Sequence, residues 1–81
     1  GSIRVATRKF MDTETIDVEV NGEARRVPEG QSVAALLAWL EVPLERVAVE
    51  LNKAIVRKRE WATTRVEYGA RVEIVEFVGG G

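Results

Sequence analysis

Neither cysteine nor histidine occurs among the 81 residues. Their absence excludes disulfides, thiolate nucleophiles, zinc sites of the ordinary type and the commonest general base, so no metal site is expected. A side-chain active site would have to be assembled from Asp, Glu, Lys, Arg, Ser, Thr or Tyr alone. Proline occurs only as Pro28 and Pro43, each at the end of a periodic run. No apolar run approaches the length of a membrane span or a signal-peptide core, which points to a soluble, cytoplasmic protein without a membrane partner. The length allows one sheet and one helix, near the lower limit for a core held without cross-links.

The charges are unevenly spread. Arg4, Arg8 and Lys9 fall in the first ten residues with no acid beside them, whereas from Met11 onward 9 basic and 13 acidic residues leave a net charge of −4. An acidic domain does not suit a phosphate backbone, whose binding depends on Lys and Arg displacing counterions, so nucleic acid is not expected as a partner. Gly1 and Ser2 read as the remnant of a cleaved tag, with Met11 as the start of the domain. The alternative is a native N-terminal extension in which Ile3 and Val5 alternate as in a short strand.

Ile16, Val18 and Val20 alternate with Asp17 and Glu19, and Asn21-Gly22 supplies the two positive-φ positions of a tight hairpin. A two-residue loop sets Val20 opposite Glu23, Asp17 opposite Arg26 and Ile16 opposite Val27. It also sets Arg25 opposite Val18 on the inner face, a misfit unless its stem lies along the sheet edge with the guanidinium in water. After Pro28, Ser32 can cap a helix whose apolar stripe is Val33, Leu36, Leu37 and Leu40, about two and a half turns, stopped by Pro43. A second hairpin is expected from Val47, Val49 and Leu51, then Asn52-Lys53, then Ala54, Ile55 and Val56. Past an irregular stretch with Trp61, Thr63 and Thr64, Gly69 marks a turn before a last strand, Val72 to Phe77.

The order ββαβββ, with one helix covering one face of a mixed sheet, is the α+β arrangement of the β-grasp, or ubiquitin-like, architecture. The expected organisation is a tag remnant or extension at 1–10, a β-grasp domain at 11–77 and a flexible glycine tail at 78–81. Three consecutive glycines ending a chain by chance would arise at a rate of about 3 in 10,000. A linker or frayed end is the ordinary explanation. Here, however, Gly79-Gly80-Gly81 follow Val78 directly after a strand, without serine, lysine or tag residues between. Glycines without Cβ atoms can thread a narrow channel and present the terminal carboxylate deep inside another enzyme. Ordering Val78 to Gly81 would cost on the order of 4 to 8 kcal/mol, so a docking surface must offset it. If Val72 and Ile74 face the core, alternation turns Val75 and Phe77 outward to serve it; otherwise Phe77 wraps onto the core edge.

From Ile16 to Gly81 the sequence resembles the ThiS-type sulfur carrier proteins of thiamine biosynthesis. The resemblance is carried by Val20-Asn21-Gly22-Glu23, Gly30-Gln31-Ser32-Val33, Val49-Glu50-Leu51-Asn52 leading to Ile55-Val56, Trp61, and Val75-Glu76-Phe77-Val78 ahead of the glycines. It implies a carrier and not an enzyme, with no catalytic residue and no bound cofactor of its own. An E1-like adenylyltransferase (ThiF-like) would use ATP to adenylate the Gly81 carboxylate. Sulfur from a donor such as a cysteine desulfurase would convert it to a C-terminal thiocarboxylate, which a thiazole synthase (ThiG-like) would consume. Gly79 and Gly80 would thread the channel, and Val75, Phe77 and Val78 would dock the partner. The sequence departs from the family pattern at Tyr68-Gly69-Ala70, where an Asp-Gly-Asp-like turn is common, and at Arg57, where proline is frequent.

Two other functions fit the same architecture: a carrier for molybdopterin or cysteine synthesis, and a β-grasp module that binds a partner without using its terminus. Elsewhere the ordinary readings prevail. Arg57-Lys58-Arg59 reads as a solvated turn, Trp39 and Trp61 as seals on the core, and Asp17, Glu19, Glu73 and Glu76 as solvated strand positions, with no general acid or base among them.

Overall fold

The structure, a computed structural model, describes residues 14–77; the segment 1–10 and the glycine tail at 78–81 lie outside the described residues. β1 (Thr15–Val20) and β2 (Glu23–Pro28) form an antiparallel hairpin in the expected register, Val20 opposite Glu23 and Ile16 opposite Val27. Asn21 and Gly22 have φ of 50° and 83°, the left-handed pair that matches the turn to the strand twist. On the outer face Arg26 Nε lies 3.3 Å from Asp17 Oδ1. The Arg25 misfit resolves as anticipated, because β2 is an edge strand and Arg25 is exposed, lining an open cleft with Val20, Leu40, Val42 and Ile74.

α1 (Val33–Trp39) is shorter than the apolar stripe implied. Its end is a local backbone event that precedes Pro43. Leu40 is the C-cap, Glu41 adopts φ 63°, Glu41 N–H donates to the Ala38 carbonyl at 3.0 Å, and Val42 N–H donates to the Leu37 carbonyl at 3.0 Å. That bond pattern is the Schellman motif, with glutamate where glycine is usual. Glu41→Gly should therefore stabilise the domain by about 0.5 to 1 kcal/mol, since relief of the left-handed strain exceeds the added unfolded-chain entropy. Urea unfolding would read this as a raised midpoint at constant slope.

The start of α1 joins local and distant partners. Ser32 Oγ accepts from Ala35 N–H at 3.1 Å, as its position implied. Val33 N–H donates to the Thr64 carbonyl at 2.8 Å and Ala34 N–H to the Trp61 carbonyl at 3.0 Å. Two orphan donors of the first turn are thus satisfied by carbonyls of the irregular crossover, and a third by the Ser32 side chain.

β3 (Val47–Leu51) and β4 (Ala54–Val56) form the second hairpin, whose turn residues Asn52 and Lys53 have φ of 52° and 72°. A 3-10 turn at Lys58–Glu60 follows, and Arg57, Lys58 and Arg59 are all exposed, as a solvated turn should be. Trp61 packs beneath the crossover at 4% exposure, its Nε1–H donating to the Val56 carbonyl at 3.0 Å. Trp39, at the end of α1, is half exposed at the rim. Gly69, with φ 78°, completes a turn in which Ala70 N–H donates to the Glu67 carbonyl, the type II geometry that requires a positive φ at that position.

β5 (Arg71–Glu76) enters the middle of a five-stranded sheet of order β2-β1-β5-β3-β4, parallel to β1 and antiparallel to β3. One sheet face, carrying Val18, Val20, Val27, Val49 and Val72, is buried in one core with Val33, Leu36 and Leu37 of α1. This is the β-grasp arrangement expected from the ββαβββ order.

Candidate functional site

β5 leads toward the glycines, and its two faces differ sharply. Val72 is buried and Ile74 half-buried on the helix side, while Val75 is 57% and Phe77 56% exposed on the other. The outward position of Phe77 excludes its wrapping onto the core edge. Phe77 N–H still donates to the Arg46 carbonyl at 2.7 Å, so the residue is held in strand direction one position beyond β5.

Register fixes the neighbours of these side chains. Ala48 lies opposite Val75, and Glu50 lies opposite both Glu73 on β5 and Ile55 on β4. Side chains directly opposite in an antiparallel pair share a face, so Ala48, Ile55, Val75 and Phe77 belong to one open face. Ile55 is 74% exposed there, a contribution that sequence periodicity did not single out. Its signal was the two-residue turn at Asn52-Lys53, which sets Ile55 opposite the outward Glu50. The Glu50–Glu73 pair places two carboxylates across from each other, an arrangement that costs up to about 1 kcal/mol. Farther along β5 the charges are complementary: Arg71 Nε lies 3.4 Å from Glu19 Oε1.

Of the residues expected to act at the tail, Val75 and Phe77 are thus brought to one surface. Val78, Gly79, Gly80 and Gly81 lie outside the described residues. Among the described residues no helix is long and apolar enough to cross a membrane.

A β-grasp sheet with its helix on one face and an open apolar patch on the other, at the strand that runs into the glycines, defines a ubiquitin-like protein. The ThiS family model matches residues 17–81. The solved structure of a thiamine biosynthesis protein (ThiS) from Geobacter metallireducens superposes with a TM-score of 0.73 at 36% identity, covering 82% of this chain and 100% of that one. The uncharacterized protein ycf40 of Porphyra purpurea is 34% identical over 71 residues, 88% of this chain and 100% of that protein. A thiazole synthase of Paramagnetospirillum magneticum is 45% identical over 62 residues, 76% of this chain; the chain spans only 19% of that protein's length. The chain belongs to the ThiS family.

Proposed function

We propose that this protein carries sulfur for thiazole formation in thiamine biosynthesis, acting as the substrate of partner enzymes and catalysing nothing itself. The observation that carries the reading is the open apolar face of β5, Val75 and Phe77, immediately ahead of Val78 and the three glycines in sequence. An E1-like adenylyltransferase docks on that face and receives the tail, with Gly79 and Gly80 in its channel. A carboxylate is a poor electrophile until one oxygen becomes part of a leaving group. A Gly81 carboxylate oxygen therefore attacks the α-phosphorus of ATP, releasing pyrophosphate and leaving an acyl adenylate.

The terminal sulfur of a persulfide, loaded by a cysteine desulfurase, then displaces AMP from the carbonyl carbon. A thiol attacks the donor-side sulfur of the resulting acyl disulfide, forming a new disulfide with the donor and releasing the thiocarboxylate on Gly81. The acceptor is a thiazole synthase, a choice supported by the relative of that name that contains a region similar to this chain. No step needs a thiol on the carrier, in keeping with a sequence without cysteine. The protein works in the cytoplasm alongside these enzymes.

Intact-mass measurement after incubation with ATP, a ThiF-like enzyme, a cysteine desulfurase and cysteine tests the reading. The full chain should gain the mass of one oxygen replaced by sulfur, and a chain lacking Gly80 and Gly81 should gain none. Failure of the full chain with several competent activating enzymes would favour a non-covalent interaction module. Charging followed by sulfur transfer only to a molybdopterin- or cysteine-forming acceptor would move the protein to another pathway.

A further inference from the structure

Asn21 and Asn52 each open a two-residue turn, and both do more than tolerate its positive φ. Asn21 N–H donates to the Val72 carbonyl at 2.9 Å, and its Oδ1 accepts from Ile74 N–H at 2.8 Å. Those are the two bonds that a residue in a parallel strand makes to its neighbour, with the side-chain amide oxygen standing where a main-chain carbonyl would be. Asn52 does the same in antiparallel form: its N–H donates to the Arg71 carbonyl at 2.7 Å, and its Oδ1 accepts from Arg71 N–H at 2.9 Å. Each asparagine extends a ladder by one rung after its own backbone has turned away into the hairpin, and both rungs fall on β5.

The Asn21 rung lies nearer the tail. Regular pairing of β1 with β5 covers only Glu19 opposite Arg71 and Val20 opposite Val72. Beyond it, Asn21 Oδ1 ties Ile74 on the β1 side, while on the other side pairing continues to Val47 opposite Glu76 and on to the Phe77 N–H bond with the Arg46 carbonyl.

We propose that Asn21 is a positioning residue for the reaction at Gly81. By holding Ile74 from the β1 side it adds to the β3 pairing and the Phe77–Arg46 bond that direct residues 75–77, so that Val75 and Phe77 are presented to the activating enzyme in one orientation. Without the tie, the end of β5 is held from β3 alone, and the remaining freedom on its β1 side has to be removed on docking. The inference rests on the carrier reading given above.

Asn21→Gly keeps the left-handed turn at no steric cost and removes the acceptor with the rest of the side chain, at the cost of a freer backbone; Asn21→Asp keeps an Oδ1 acceptor in a residue that also tolerates positive φ. Two readouts are needed: hydrogen exchange at the Ile74 amide, and steady-state charging with the wild-type chain alongside. Asn21→Gly should speed exchange at Ile74 and raise the KM for the carrier roughly tenfold, about the effect of one residue's backbone left to be ordered, with kcat little changed. Asn21→Asp should return both toward wild type. Wild-type KM in Asn21→Gly, an equal loss in Asn21→Asp, or a fall confined to kcat would each overturn the proposal. An uncharged wild-type chain would instead overturn the carrier reading, and the positioning role with it.

Discussion

Leu36→Ala should lower the free energy of unfolding by about 2 to 5 kcal/mol. Leu36 is fully buried in the core between α1 and the sheet, and a helix of 7 residues has little stability of its own, so it persists only by packing. A single core of this size rarely supplies more than about 3 to 5 kcal/mol in total. The substitution is therefore expected to leave a large part of the population unfolded at 25 °C, read as a collapsed urea midpoint or loss of the transition. Ile55→Ala, on the open face, is the matched control and should shift stability by no more than about 0.5 kcal/mol. A loss under about 1 kcal/mol for Leu36→Ala would mean that α1 does not seal the sheet as described.

The combined change Val75→Thr with Phe77→Ser should reduce charging efficiency, measured as kcat/KM for the activating enzyme, on the order of 100-fold. Burying each wild-type side chain in an interface contributes about 1.5 to 3 kcal/mol, and the polar replacements forfeit most of it. Both residues are more than half exposed, so the folded domain loses little, and thermal unfolding should separate a docking defect from a folding defect. The loss should fall on KM, since docking energy is shared by the ground and transition states. Charging at the wild-type rate would show that the tail alone is recognised and that the open face serves another partner.

Much of this molecule follows from nearest-neighbour chemistry. Asn21-Gly22 set the first hairpin's register to the residue, because a two-residue turn leaves no slack, and the spacing of Val33, Leu36 and Leu37 marked the buried stripe of α1. The helix end was less legible. Leu40 continues the stripe, yet Glu41 enters a left-handed conformation that no glycine announces. Asparagine at the head of both tight turns was visible, but as a turn former only.

The sequence by itself therefore determined the elements, their order, the hairpin registers and the alternation of β5, since periodicity and turn dihedrals depend on residues a few positions apart. It also held the glycine tail on which the functional reading turns. Only the tertiary structure decided that Phe77 stands open, that Ile55 joins its face, that crossover carbonyls satisfy the start of α1, and that two turn side chains complete the ladders of β5. The physical reason is that backbone donors and acceptors at element ends carry no preference for a partner in their own sequence. They are satisfied by whatever long-range packing of the apolar faces brings within 3 Å or so.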